Sequence, residues 1–397
     1  MAKKIVIIGG GAAGLMAAIW AARRGASVTI LERNDRPGRK LLATGNGRCN
    51  LTNLLQERQC YRGSDPDSAF RIISRFGVQE TIAFFSSLGV YTRNRDGWIY
   101  PYTGQAGSVL QILLMEAAYR GVKIKTRETV TAVEAESGGG FSVRTAGWKY
   151  EADAVIVACG SPASEIEGAS DTAKSLALSA GHSFLPFRPA LVPLKCRGGW
   201  FSRWAGVRAA AAVSLYLDGS CVQREVGELQ LTGYGISGIP VFQLSRYAVQ
   251  ALEAGSHVSV SLDFLPDFDF EALGRYLSVR REQCPYKTLR QQMVGLLPEK
   301  LIDVLAPPDA QPDTVLSNIK AFSLEVSGPL SLGQAQVCSG GVPLGELTDS
   351  LESRRVPGLY FTGEAADVDG ACGGYNLQWA WSSGTAAGLS ASGGEEK

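Results

Sequence analysis

Histidine is almost absent from this 397-residue sequence: only His182 and His257 occur. Neither lies in a glycine-rich or polar motif, which argues against a histidine-based nucleophilic triad. Eight cysteines are present, but no two are spaced as Cys-x-x-Cys. No His/Cys/carboxylate cluster shows metal-ligand spacing, so a zinc site and a thioredoxin-like disulfide are both disfavoured. Scattered thiols of this kind predict a reducing, cytoplasmic setting. Charge of one sign is also missing. Thirty-nine Lys and Arg balance 38 Asp and Glu, for a net charge of +1. No whole-molecule field therefore points to nucleic acid or membrane, and only local patches remain. Long apolar runs are lacking too. Ile5 to Ile8 is stopped by glycine, so it is neither a signal-peptide core nor a membrane span.

Glycine, by contrast, is abundant, with 47 residues, many of them near the two ends of the chain. Lys4 to Ile8 reads as a buried parallel strand, and Leu15 to Arg24 as an Ala-rich helix ended by Gly25. Ser27 to Leu31 is the next strand, stopping at Glu32. Between strand and helix stands Gly9-Gly10-Gly11-Ala12-Ala13-Gly14, a G-x-G-x-x-G string. Gly9 permits the tight turn, Gly11 lets backbone approach a pyrophosphate, and Gly14 lets helix and strand pack closely. The free N–H groups of Ala12, Ala13 and Gly14 face the phosphates with the positive end of the helix dipole. Glu32, 18 positions past the last glycine, suits a ribose hydroxyl. The unit is a right-handed βαβ crossover.

Glu32 fits FAD and NAD equally. The far end of the chain favours FAD. Gly358 to Thr362 is a short strand running into Gly363-Glu364, placed to deliver a carboxylate to a ribityl chain. Gly373-Gly374-Tyr375-Asn376 then opens a helix, predicted over Tyr375 to Leu389, whose N-terminus would stabilise negative charge on a reduced flavin ring. Between the two ends the texture changes. Val207 to Leu217 and Val258 to Phe264 alternate like antiparallel strands, and Phe268 to Leu305 reads as helical. Length and texture together predict two domains. A Rossmann-type α/β FAD domain, discontinuous over 1–191 and 333–397, would be interrupted by an insert over 192–332. Its antiparallel part covers about 192–266 and its helical part about 267–325. Asp67 to Leu88 and Ser108 to Arg120 read as helices, Val122 to Val133 with Phe141 to Thr145 as a strand pair, and Gly393 to Lys397 as a frayed tail.

These residues resemble a known family. Gly9 to Gly14, Gly38-Arg39-Lys40-Leu41-Leu42, Gly45-Asn46-Gly47-Arg48-Cys49-Asn50 with Asn53, Gly340-Gly341-Val342, and Gly363 through Asn376-Leu377-Gln378 are similar to the BaiN/RdsA family of NAD(P)/FAD-dependent oxidoreductases. The resemblance covers nearly the whole chain. It implies an insert with β-barrel and helical parts and a two-dinucleotide-binding-like FAD domain. It implies flavin-dependent reduction of a carbon–carbon double bond, with NAD(P)H as a transient electron donor. Two substrates are associated with the family: a uridine of large-subunit ribosomal RNA, taken here as the leading one, and an unsaturated 3-oxo bile acid. A flavin amine oxidase shares the general plan and stays open at this point. Expected FAD contacts extend to Arg33, Arg39, Lys40, Leu41, Val130, Gly160, Gly363, Glu364, Gly374, Tyr375, Asn376 and Leu377.

The catalytic candidates are Cys49, Arg48 and Asn50. Cys49, beside Arg48 in a polar glycine loop, is expected to have thiolate character and to serve as the proton donor. Its alternative role is a small buried residue near the cofactor. Cys338 and Cys372 are alternative acids or simple packing residues. Arg48 and Lys40 either bind FAD phosphates or polarise substrate. Tyr375 and Asn376 either donate to flavin or substrate, or cap the helix. Arg275, Arg280, Arg281, Lys287 and Arg290 are candidates for an RNA-backbone track, with Trp200, Phe201 and Trp204 for base stacking and Arg197, Arg203 and Arg208 nearby. The alternative is a solvated helix face. Membrane partners are not expected, and the oligomeric state is not legible.

Overall fold

The computed structural model describes residues 2–164 and 170–393. The tail expected over Gly393 to Lys397 falls, beyond Gly393, outside the described residues. Two units result. One comprises Met1–Phe187 with Val337–Lys397, and the other is Arg188–Gln336.

The first unit is built on a five-stranded parallel sheet. Its strand order is Leu359–Phe361, Ala154–Val157, Lys4–Ile8 (β1), Ser27–Glu32 (β2) and Lys123–Thr126. Central β1 pairs in parallel with both neighbours, Ile5 facing Ala154 on one side and Val28 on the other. All these central strands are apolar runs, as a sheet covered on both faces requires. The sequence suggested that the segment near Val122 begins an antiparallel pair. Instead Lys123–Thr126 joins β2 in parallel, and Val130–Ala135, Phe141–Thr145 and Lys149–Ala152 form a separate antiparallel sheet. Helix α1, Ala12–Arg23, crosses from β1 to β2.

The chain's C-terminal part completes this sheet. Leu359–Phe361 adds to Ala154–Val157, and the helix Tyr375–Ala391 then lies on α1. Two glycines one turn apart allow the close approach. A Cβ on Gly384 would stand 2.3 Å from the Ala13 carbonyl oxygen, and one on Gly388 would stand 2.4 Å from that of Ala17. No other residue type fits either position without moving one helix off the other.

A small antiparallel sheet flanks this core. Thr52–Asn53 pairs with Trp98–Pro101, which pairs with Thr92–Arg95. The hairpin turns on Asp96 and Gly97, both at positive φ (52° and 90°), the type I′ geometry matching the natural strand twist.

The second unit contains a closed six-stranded barrel. Its order is Leu194–Cys196, Gly235–Gly238, Ser220–Thr232, Arg208–Leu217, Val258–Asp263 and Phe322–Pro329. The single helical stretch expected over Phe268 to Leu305 is three helices, Phe270–Gln283, Leu289–Met293 and Glu299–Leu305. Pro285, Gly295 and Pro298 fall in the breaks between them. Among the described residues, no helix is long and apolar enough to cross a membrane.

Candidate dinucleotide site and its surroundings

Gly9 to Gly14 form the turn from β1 into α1. Gly9 has φ +102° and lies so close to the end of the neighbouring strand that a Cβ would sit 2.6 Å from the Ala158 carbonyl oxygen. Gly14 packs on Gly9, with 2.0 Å available where a Cβ would need a full contact. Gly11 differs from both: a Cβ there meets nothing within 4 Å, and the same holds at Gly160. α1 starts at Gly11 with no side-chain cap and no acidic residue in its first turn. Its first N–H groups, those of Ala12, Ala13 and Gly14, are therefore left for an anion.

Glu32 is buried at the end of β2. Its carboxylate accepts from the Gly10 N–H (2.9 Å) and the Asn34 N–H (2.8 Å). Each carboxylate oxygen keeps a further lone pair that can accept from a ribose hydroxyl. Arg33 follows directly. Val130, buried at 5 % exposure, lies two residues beyond Glu128, whose N–H bonds the Glu32 carbonyl.

The two chain ends meet here. Lys40 and Glu364 form an ion pair at 2.6 Å across 324 residues of sequence. The Glu364 carboxylate also accepts from the Ser161 hydroxyl and from the Cys338 N–H at 3.3 Å. Gly363 rests on α1, its Cβ direction 3.1 Å from the Ala13 methyl, and its carbonyl accepts from the Trp379 indole at 2.9 Å. Lys40 and Glu364, expected on separate parts of the cofactor, are thus held by each other. Arg39 is pinned by Asp35 at 2.7 Å, and Leu41 is a core residue.

The polar loop from Gly45 to Asn53 is tied to the C-terminal helix. The Trp381 indole donates to the Leu51 carbonyl at 2.9 Å. Gln378, fully buried, accepts from Thr52 (2.6 Å) and Thr81 (3.1 Å) and donates to the Phe76 carbonyl (2.8 Å). That helix opens at Gly374 (φ +97°) without a side-chain cap or an acidic first turn. Asn50 is buried beside it, its amide oxygen 3.0 Å from where a Gly374 Cβ would be. Neither polar atom of that amide is paired. A polar partner would remove the cost of leaving them so. Asn376 does not take the alternative role of capping the helix. Its amide turns back to Gly370, accepting from that N–H at 2.8 Å and donating to that carbonyl at 2.9 Å. Tyr375 is buried edge-on against Tyr61, and Leu377 packs on the core.

The thiolate expected at Cys49 is not found. Cys49 is 0 % exposed, belongs to the α1 core, and burial pushes its thiol up to about 12. Arg48 next to it is exposed, and only a hydrogen bond with Thr44 works against the burial of the thiol. A fully covered, protonated thiol favours the packing alternative for Cys49 over the acid. Burial likewise raises Cys338 to about 12, with the Glu364 carboxylate adding to it. Burial raises Cys372 to about 11, against the opposing charge of Arg62.

The RNA-contact residues expected in the inserted unit also need correction. Trp204 and Phe201 are buried in the barrel core and present no face for stacking, while Trp200 packs half-buried against them. The arginines are largely committed. Arg275 pairs with Glu271, Arg290 with Asp303, Arg208 with Glu228 and Arg197 with Glu325. Arg203 donates to the Asp303 carbonyl, and Arg280 to the Tyr276 hydroxyl.

The sequence reading passed over the hairpin of the first unit. Its alternation puts Tyr91, Arg93 and Arg95 on one face with Trp98, Tyr100 and Tyr102 of the facing strand. The Trp98 ring lies 3.5 Å from the Cβ direction of Gly373, at the opening of the C-terminal helix. Strict alternation around an Asp-Gly turn was the signal that would have found it.

A G-x-G-x-x-G turn, a ribose acid and a C-terminal strand and helix closing on α1 define a dinucleotide-binding oxidoreductase of Rossmann type. The chain belongs to the HI0933-like protein Rossmann domain family, whose profile matches residues 3–390. With it the resemblance to the BaiN/RdsA family holds, and the protein is an FAD-dependent oxidoreductase. It is 44% identical over 98% of its length, and 99% of the relative's, to the 3-dehydro-bile acid delta(4,6)-reductase of Clostridium scindens. It is 31% identical over 95% of both chains to the ribosomal RNA dihydrouridine synthase of Escherichia coli. Among solved structures, 3-ketosteroid delta1-dehydrogenase from Sterolibacterium denitrificans shares the fold. That likeness has a TM-score of 0.52 at 11% identity and covers 98% of this chain and 100% of that one.

Proposed function

We propose that the protein uses FAD and NAD(P)H to reduce a carbon–carbon double bond conjugated to a carbonyl, in the cytoplasm, with a uridine of large-subunit ribosomal RNA as leading substrate. The observation that supports this reading is the meeting of the two chain ends: Gly363 rests on Ala13 of the phosphate-binding turn, its Cβ direction 3.1 Å from that methyl, and the adjoining Glu364 pairs with Lys40 at 2.6 Å. Both relatives are named for saturating a ring double bond, and a uracil and a 3-oxo-4-ene are alike in their conjugated carbonyl. FAD held in this site would supply hydride to the electron-poor alkene carbon, and a proton from water would complete the neighbouring carbon.

The protein's own groups do the rest. The Ala12, Ala13 and Gly14 N–H groups hold the pyrophosphate, and Glu32 accepts from the adenosine ribose. Lys40 orients the Glu364 carboxylate toward the ribityl hydroxyls. Asn50 and the uncapped N-terminus of the C-terminal helix bind the polar edge of the ring, where the helix dipole favours negative charge. None of the eight cysteines is in a disulfide, in keeping with a reducing compartment.

The 44% match favours a second reading, a small enone of the 3-oxo bile acid type. Three assays separate the readings. Anaerobic bleaching by NAD(P)H with slow reoxidation in air supports a reductase, whereas rapid reoxidation with amine turnover supports an oxidase. Loss of dihydrouridine from large-subunit rRNA in a deletion strain supports the uridine substrate. Unchanged modification, with no other enzyme making it, removes that substrate. Efficient turnover of a 3-oxo-4-ene steroid acid by the same protein would then install the second reading.

A further inference from the structure

The hairpin Thr92–Arg95/Trp98–Pro101 carries a side-chain arrangement that the cofactor site does not use. Its rungs pair Arg93 with Tyr100 and Arg95 with Trp98, and the Tyr102 N–H bonds the Tyr91 carbonyl at 2.7 Å one step further out. Every one of these side chains points to the same face, because alternate residues of a strand do. The opposite face carries Ile99 and Pro101, both buried, which anchor the hairpin to the unit. On the exposed face the groups interleave. The Tyr91 and Tyr102 rings lie 5.4 Å apart, the Arg93 guanidinium lies 4.4 Å from the Tyr102 ring centre, and that of Arg95 lies 5.7 Å from the Tyr100 centre.

Three features show what this face recognises. First, Arg48, Arg93 and Arg95 have no carboxylate partner among the described residues, whereas most arginines of the inserted unit are paired. Second, Tyr91 (76 % exposed) and Tyr102 (57 %) present large aromatic surface to solvent. Third, the row ends at Trp98, against Gly373 and the opening of the C-terminal helix. An acid with a single carboxylate needs one cation. The two unneutralised guanidiniums of this face, Arg93 and Arg95, interleaved with aromatic rings match a chain of phosphates alternating with bases.

We infer that this face binds single-stranded RNA, the rings of Tyr91, Tyr102 and Tyr100 stacking on bases and Arg93 and Arg95 meeting phosphates, so that the strand leads a splayed nucleotide toward Gly373. This rests on the uridine reading and specifies where its substrate docks. Cation–π contact fixes each guanidinium plane while leaving its N–H edge for phosphate oxygens.

The test uses the full-length, FAD-loaded protein and a fluorescent, uridine-containing single-stranded RNA oligonucleotide, titrated by anisotropy across a salt series. Wild type binds with an affinity that falls as salt rises. Arg93→Gln/Arg95→Gln weakens binding and reduces the log–log salt slope by about 1.4, from about 0.7 per lost phosphate contact. Tyr102→Ser weakens binding roughly tenfold and leaves the slope alone, as loss of one stacked base does. Retained FAD content shows that each variant is folded. The inference is overturned if wild type does not bind, or if the arginine double variant keeps both affinity and slope. It is also overturned if that variant binds RNA normally while its KM for an anionic enone steroid rises, which would assign the face to a small acid. RNA binding lost in the variants, in a protein whose deletion leaves rRNA dihydrouridine intact, would keep the docking face and reject the uridine reading alone.

Discussion

Gly384→Ala tests whether the C-terminal helix has to touch α1 for the nucleotide site to exist. The added methyl would stand 2.3 Å from the Ala13 carbonyl oxygen, 3.0 Å from the Met16 Cβ and 3.1 Å from the Ala13 carbonyl carbon. An ordinary contact needs about 1 Å more. The carbonyl belongs to the helix ladder of α1 and cannot swing aside, so the helices must part. Overpacking of this kind costs about 1–3 kcal/mol. Alanine's better helix propensity returns up to about 1 kcal/mol. The net loss is about 1–2 kcal/mol, which lowers Tm by roughly 2–8 °C for a unit of this size. Because Ala13 belongs to the turn that holds the pyrophosphate, FAD affinity falls as well. Thermal melts followed by flavin fluorescence, together with FAD titration of the apoprotein, read both effects. Gly107→Ala is the control: it lies in the helix Ala106–Tyr119 with nothing within 4 Å of its Cβ, and should gain up to about 1 kcal/mol. A Gly384→Ala protein that melts at or above wild type and binds FAD equally well would refute the reasoning.

Three other outcomes follow from the same geometry. Cys49→Ala should keep its FAD and turn over within about twofold of wild type; a loss of 100-fold or more with flavin retained would restore Cys49 as an acid. Glu32→Ala removes the acceptor of the buried Gly10 and Asn34 N–H groups, so stability should fall by about 2–3 kcal/mol and FAD should be lost on gel filtration, with Glu32→Gln milder in both. Burial raises the Glu346 carboxyl, but hydrogen bonds from Ser183, Arg355 and His182 outweigh it and hold it down at about 2, against an ordinary 4.5. Its stabilisation is therefore complete above about pH 4.5 and lost as pH falls through about 2, so Glu346→Gln should flatten the acid limb of a melting-temperature profile in that window and leave neutral pH less affected.

The nucleotide half was legible because each of its steps is local. Gly9 to Gly14, the apolar β1 and β2 runs and Glu32 lie within one crossover, where periodicity and glycine placement speak directly. Pairing between distant segments was not legible. Nothing in Lys40 or Glu364 alone announces an ion pair across 324 residues, nor that Lys123–Thr126 would join β2 in parallel. Cys49 misled because a neighbouring arginine in sequence is not a neighbour in space: Arg48 faces out while the thiol faces the core. In the charge-rich stretch from Arg275 to Arg290 the two end arginines pair with Glu271 and Asp303, and the second of these partners is supplied by a separate helix. The hairpin at Tyr91 to Tyr102 was readable from its alternation and its Asp-Gly turn, and was missed because its residues belong to no family string.

The most direct measurement is FAD stoichiometry of the purified full-length chain, read from flavin absorbance after incubation with excess FAD and gel filtration. The account predicts close to one FAD per chain, reduced in Gly384→Ala and in Glu32→Ala. A colourless wild-type protein that takes up no FAD would contradict it.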